Sequence, residues 1–234
     1  MFIPIPEFSI ENPIHNEKVA ELRLFHKNVY KSSYDFKTYN EIKIDPWPEF
    51  PNRIYMGDYL GDGKYKGYPL TSYIPHYDPE FNTFTYGEGS EAKAKALSNL
   101  DRGDMLVFYM SLIPAFRRRA KGKYLVGYIT IEKIFDFRFS GQNLNYSKID
   151  KRICNNMHII RKDERPVIAA GKPNESRLFK KAIQFTDNKK WNILPDILKQ
   201  IDWPHKTTIV HMGLKKLEGD YAKKFRKFIL SYDD

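Results

Sequence analysis

The chain has 234 residues, of which 41% are hydrophobic and 15% aromatic, a composition that supports a packed core and argues against a disordered protein. Lys and Arg exceed Asp and Glu by 39 to 29, which suits a polyanionic partner but also a merely solvated surface. The only cysteine, Cys154, excludes an intrachain disulfide framework and a multi-cysteine zinc site. No run of about 18 apolar residues occurs and the N-terminus lacks a basic, signal-like segment, so we expect a cytoplasmic protein without a membrane span.

The first 70 residues are rich in prolines and turn residues. Prolines at positions 4, 6 and 13 predict an extended start, and the apolar spacing over 16–26 predicts a short helix. Glycines and prolines between 34 and 68 indicate loops. The alanine-rich segment 91–100 then predicts a helix that a turn at Gly103 closes.

Strands are concentrated in the second half of the chain. Residues 105–110 form an almost continuous apolar run, and 123–139 is a long stretch in which Gly127 indicates a bulge or a close backbone approach. Shorter apolar segments predict further strands at 157–160, 166–170, 178–185 and 207–210. Regular strand–helix alternation is absent, so we predict an α+β fold: a small, mostly antiparallel barrel flanked by short helices.

Two helices are expected near the C-terminus. Residues 194–201 carry Pro195 in a first helical turn. Within 215–229, apolar residues recur at helical spacing opposite a face of Lys and Arg, which predicts an amphipathic helix docked on the body. A calmodulin-target or membrane-surface role for this helix is the lesser alternative.

Five segments carry a family resemblance. The central hairpin of PUA-like proteins, the superfamily of the ASCH, EVE and YTH domains, is similar to LDRGDMLVFYMSL (100–112) and KGKYLVGYITIEKIF (121–135). One branch, the nucleotide modification associated domain 3 family, resembles HYDPEFNTFTYGE, NNMHII and VIAAGKPNESRLFKKAIQF. The resemblance covers about 70–186. It implies a PUA-like barrel over 70–190, an N-terminal extension over 1–69 packed on that core, and a C-terminal helical extension over 191–234.

The resemblance also implies nucleic-acid binding through an unusual or modified base held in an aromatic pocket. Such a pocket needs flat side chains for stacking and a few polar groups that contact the base edge. We predict that Asp78 accepts a hydrogen bond from an exocyclic amine. The complete set of predicted base-binding residues is Tyr77, Asp78, Phe81, Tyr86, Tyr109, Ser111 and His158. Each has a structural alternative, because loop aromatics also cover cores and a lone histidine is also a capping or core residue.

Positive charge is densest in the loop between the two hairpin strands. Arginine donates two hydrogen bonds to a phosphate from its planar guanidinium group, and turn amides and hydroxyls add others. The predicted phosphate-binding residues are Arg117, Arg118, Arg119, Lys121, Lys123, Ser176 and Arg177. The alternative is a solvated basic turn and an ordinary connection between two strands.

No established catalytic motif occurs: the sequence lacks a Walker loop, a G-x-S-x-G elbow, a deaminase C-x-x-C and a dinucleotide-binding glycine fingerprint. His76, Asp78 and Glu80 form only a weak metal motif, so we predict neither a metal nor a cofactor. The expected partner is DNA or RNA, with or without a modified base, and the oligomeric state stays open. Two alternatives remain: an RNA-cleaving or base-excising enzyme that uses the region of His76 and Asp78, and a peptide-binding module.

Overall fold

The structure is a computed structural model. It describes residues 43, 52, 55, 64–65, 68–69, 79–81, 83–89, 91–112, 122–139, 150–154, 156–160, 163, 165–187, 192–203 and 217–232. The expectations for 1–14, 16–26 and 207–210, and most of those for 34–68, therefore fall outside the described residues.

An antiparallel sheet forms the centre of the described structure. The strands described are β1 (Lys64–Tyr65), β2 (Tyr68–Pro69), β3 (Thr85–Glu88), β4 (Met105–Leu112), β5 (Gly122–Asp136), β6 (Val167–Gly171) and β7 (Arg177–Gln184). The strand order of the sheet is β3-β6-β5-β4, with β7 also paired to β5, and the sheet curls into half a barrel. A separate two-residue ladder joins β1 to β2.

Short helices flank this sheet, which confirms the predicted α+β class. A single 3-10 turn, Pro173–Glu175, connects β6 to β7. The α-helices in the described residues are α1 (Glu91–Ser98), α2 (Met157–Ile160), α3 (Pro195–Ile201) and α4 (Gly219–Ser231).

The long strand β5 changes partners along its length. Its first half pairs with β4 and β7, and its second half pairs with β6. The register to β7 shifts between Leu125 and Gly127. A Cβ atom on Gly127 would lie 2.5 Å from the carbonyl oxygen of Arg177 and 2.8 Å from the Phe81 ring, so only glycine fits there. The predicted bulge and close backbone approach at this glycine are both confirmed.

Cross-strand register assigns the two faces of the β3-β6-β5 part of the sheet. Glu88 is opposite Val167, which is opposite Asp136, so these residues share one face. Helix α1 covers that face, since Lys93 reaches Glu88 and Ser98 bonds the Arg138 that pairs with Asp136. The row of Gly87, Ile168 and Phe135 lies on the opposite face.

Residues 150–154 and 156–160 cover that opposite face. Ile153 and Ile159 form a buried cluster with Ile168 and Ala170. The strand predicted at 157–160 is wrong, because these residues form the single helical turn α2. The Asn156 side chain accepts a hydrogen bond from the backbone of His158, as an N-cap does, and bonds the side chain of Thr85, 71 residues away.

The C-terminal helices complete a second core. Ile197 and Ile201 of α3 and Phe228 and Ile229 of α4 are buried in one cluster with Tyr109, Leu125, Tyr128 and Phe179 of the sheet. Arg226 of α4 also donates to the carbonyl oxygen of Gly103 over 2.9 Å. The predicted docking of this amphipathic helix is confirmed, although Tyr221 of the predicted stripe stays 41% exposed.

Candidate functional site

Buried acidic and imidazole side chains flank strand β3. In the described residues, Glu80, Glu88 and His158 are each at most 6% exposed. Glutamate is almost never fully buried unless it is paired, and clustered buried titratable groups occur most often at functional sites. We therefore take the surroundings of β3 as the candidate site.

Glu88 lies on the face of β3 that α1 covers. The Tyr86 hydroxyl donates a hydrogen bond to Glu88 Oε1. The Lys93 ammonium is 3.6 Å from the same oxygen, and its side chain is 39% exposed. The buried carboxylate is thus held by a phenol on one side and approached by a solvated cation on the other. A carboxylate placed in this way accepts hydrogen bonds strongly, because the surrounding dielectric is low.

The Tyr86 ring belongs to a small aromatic cluster. Phe108 packs edge-on against Phe81 at 5.7 Å and at a tilt against Tyr86 at 5.4 Å between ring centroids. All three rings are buried, so in this structure they fill the space between the loop before β3 and strand β4. Phe81 and Tyr86, both predicted as base-binding residues, are brought together here.

Glu80 holds the turn that leads into β3. Both of its carboxylate oxygens accept from the backbone amide of Thr83, at 2.9 and 3.0 Å, and its own backbone pairs with Thr85. The turn also places Phe84 at a positive φ of 53°, which is strained for a residue with a side chain. Glu80 therefore has a structural role that accounts for its burial.

His158 packs on the opposite face of β3. Its Nδ1 atom is 2.6 Å from Asp163 Oδ2, and because a carboxylate only accepts, Nδ1 is the donor. A Cβ atom on Gly87 would lie 2.4 Å from His158 Cδ2, and one on Gly89 would lie 3.4 Å from His158 Nδ1. The imidazole ring thus packs against the backbone at Gly87, where a side chain would clash with it, and lies next to Gly89. The carboxylate fixes its tautomer and orientation, as at sites where histidine transfers protons.

The remaining predicted base-binding residues do not join this cluster. Tyr109 lies in the core beneath α3 and α4, where burial raises the pKa of its hydroxyl well above the ordinary value. Ser111 belongs to β4, but its side chain is outside the described residues, as are Tyr77 and Asp78. The structure therefore brings together Phe81 and Tyr86, places His158 behind them on the other face of β3, and separates Tyr109 from all three.

The predicted phosphate-binding residues are dispersed. Lys123 lies on β5 with its ammonium 5.8 Å from the centre of the Tyr109 ring. The buried Ser176 hydroxyl accepts from the Thr130 amide at 3.0 Å and so fastens β5 to the β6–β7 connection. Arg177 is the first residue of β7. Arg117, Arg118, Arg119 and Lys121 lie outside the described residues, as does His76 of the weak metal motif.

Sequence reasoning missed Glu88 and Lys93 as candidate site residues. The Glu88–Lys93 ion pair joins β3 to α1, and no periodic pattern in the sequence predicts it. The sequence Gly87-Glu88-Gly89 did contain a signal, because glycines two apart in a strand indicate that something packs closely on one face. Here that neighbour is the His158 ring.

The described part of the chain lacks two general features. No group of three or more His, Cys, Asp or Glu side chains there could hold a metal ion. None of the helices described has the length and the apolar run that a membrane crossing requires.

Comparison with known families and structures gives one match. The family model described as nucleotide modification associated domain 3 matches residues 2–222. The matched segment extends well beyond the region 70–186 on which the sequence resemblance depends, and it includes α3 and the start of α4. No curated protein and no solved structure matches the chain.

Proposed function

This chain belongs to the nucleotide modification associated domain 3 family, and on that premise we propose that it binds DNA or RNA and recognises a base that has left its stack. The sequence resemblance to this family is confirmed by the match. The manner of binding is our proposal. We place the base edge at Glu88, with Tyr86 orienting the carboxylate and Lys93 beside the entering strand.

The observation that supports this proposal most is the buried carboxylate of Glu88, which Tyr86 holds while its own ring packs on Phe108. Such a carboxylate is expensive to desolvate, and in its low-dielectric surroundings it accepts hydrogen bonds strongly, as it does from the Tyr86 hydroxyl. An exocyclic amine of cytosine, adenine or guanine is a donor of the required kind, and an acidic side chain is a known acceptor for it. The same carboxylate would repel a base that places a carbonyl oxygen at that position.

Electrostatics and stacking support the same proposal. The chain carries a formal charge of +10, which attracts a polyanion at long range. Phe81 belongs to the loop before β3, so it is the ring that would move to admit a base against Phe108. Stacking on one aromatic ring is worth about 1–3 kcal/mol per base, which offsets a large part of the energy needed to unstack it.

We also infer that the half-barrel is of the PUA-like type. The antiparallel strand order and the long, bent β5 support this inference. An experimental structure of the whole chain tests it: a connectivity unlike that of PUA-like barrels would contradict it.

The proposed function is tested with labelled thymine-rich oligonucleotides that contain one cytosine, adenine or modified base. Fluorescence anisotropy should show that the wild type prefers an amine-bearing base, and that Glu88→Gln reduces this preference by about 5- to 150-fold. Glu175→Gln, at an exposed glutamate paired with Lys172, is the matched control and should bind as the wild type does. Equal preference in wild type and Glu88→Gln would contradict the proposal. Analysis of the recovered oligonucleotide distinguishes binding from cleavage or base excision.

A further inference from the structure

Aromatic and cationic side chains alternate where β5 ends. The Phe135 and Phe137 rings are nearly parallel, at 13°, with centroids 6.4 Å apart. The Lys133 ammonium lies 4.5 Å from the centre of the Phe135 ring. The Arg138 guanidinium lies 5.2 Å from the centre of the Phe139 ring. We name these five residues the β5 aromatic row.

The row is accessible although its base is packed. Phe135 and Phe137 rest on the buried cluster of Ile153, Ile159 and Ile168 and are themselves only partly buried. Phe139 is 84% exposed, the largest exposure of any large hydrophobic residue in the described part of the chain. The aliphatic side chains lie underneath, so the solvent meets the rings and the exposed Lys133, while the Arg138 guanidinium is bonded to Asp136 and Ser98. Phenylalanine gains nothing from exposure, and such a residue at the edge of a patch marks a binding surface.

We propose that the β5 aromatic row binds single-stranded nucleic acid by stacking successive bases on its rings. Rings beside the exposed Lys133 ammonium suit a strand in which flat bases alternate with phosphates, and stacking is tolerant of sequence because every base has a π-face. Residues 135 to 139 span at most about 13 Å, room for a few nucleotides. A protein partner with an aliphatic surface would find few exposed aliphatic side chains to pack against here.

This surface is distinct from the base site at Glu88. Cross-strand register places Phe135 on the face of the sheet opposite Glu88, whereas Arg138, at the end of the row, bonds Asp136 and Ser98 on the α1 side. The inference shares with the proposed function the premise that the chain binds nucleic acid, but it needs no particular base. The β5 aromatic row would bind the strand regardless of its sequence, and the site at Glu88 would recognise one base.

Fluorescence anisotropy with labelled oligo(dT) and the full chain tests this inference. Phe139→Ala should weaken binding by about 5- to 150-fold, whereas Phe139→Trp should keep it, because tryptophan also stacks. Tyr221→Ala, at another exposed aromatic residue but on α4, is the matched control and should bind as the wild type does. Because Phe139 is so exposed, its replacement should leave the urea unfolding midpoint unchanged.

An abasic oligonucleotide of the same length separates stacking from charge. We expect the wild type and Phe139→Ala to bind it equally, since it has no bases to stack. Oligo(dT) binding that is equal in wild type and Phe139→Ala would overturn the inference, as would a loss of self-association by that variant with DNA binding unchanged. Failure of the base site would appear as no preference for an amine-bearing base, and failure of the β5 aromatic row as unchanged oligo(dT) affinity in Phe139→Ala, so the two failures give different results.

Discussion

Gly87→Ala tests the packing of His158 on β3. The new Cβ atom would lie 2.4 Å from His158 Cδ2 and 2.7 Å from Asn156 Oδ1, about 1 Å inside ordinary contact distance. Overpacking of this kind destabilises a protein by about 1–3 kcal/mol, and replacing glycine in a strand recovers about 0.5–1 kcal/mol. We expect a net loss of about 1–2 kcal/mol. For an m-value near 3 kcal/mol per molar urea, the unfolding midpoint falls by about 0.5 M.

A double-mutant cycle with His158→Ala identifies the cause of that loss. Removing the imidazole removes the shortest of the two contacts, so Gly87→Ala should be less costly in the His158→Ala background by about 1 kcal/mol. Part of the destabilisation by Gly87→Ala should remain, because the new Cβ atom is still close to Asn156 Oδ1. An equal cost in both backgrounds, or a loss below about 0.5 kcal/mol in the wild type, would refute the reasoning.

Two further predictions concern stability. Hydrogen bonds from the Arg152 side chain lower the pKa of Asp150 from 3.8 to about 2, so the pair stabilises the fold above pH 4, and this contribution disappears as the pH falls towards 2. The difference in urea midpoint between wild type and Asp150→Asn should close over that interval; a difference independent of pH would contradict it. Phe228→Ala in the buried face of α4 should lower stability by about 3 kcal/mol, against less than about 0.5 kcal/mol for Tyr221→Ala on its exposed face. Similar losses from both variants in chemical denaturation would show that α4 does not dock as described.

Local pattern was sufficient for most of the elements that the structure describes. Helix α1, strands β4 to β7 and helices α3 and α4 were predicted because their periodicity and their turn residues are properties of a few neighbouring positions. Gly127 was recognised for the same reason, since a glycine inside an apolar strand indicates a bulge or a closely packed neighbour. The segment 157–160 was the exception: its isoleucines favour a strand, but Asn156 caps a helical turn there.

The site was harder to predict than the elements, because its contacts join distant parts of the chain. The loop before β3 was correctly singled out as rich in rings, but nothing local indicated that Phe81 and Tyr86 would pack on Phe108 while the neighbouring Tyr109 entered the other core. A strand alternates its faces, so adjacent residues are separated by the sheet itself. The register between β4 and β5 shifts between Phe108 and Tyr109, because β5 has one extra residue, Val126, at that point.

By itself, then, the sequence determined the class of the fold, the helices and strands from 91 onwards other than α2, the family and the excess of positive charge. The class, the elements and the charge depend on composition and on short-range periodicity, and the family depends on the order and spacing of the motifs that resemble it. Only the tertiary structure decided that Glu88 is buried beside Tyr86, that His158 rests on Gly87, and that Phe139 is left in solvent. Those outcomes depend on the pairing register of the strands and on long-range contacts such as that between Asn156 and Thr85. Such contacts form only when distant segments meet as the sheet closes, so no local pattern predicts them.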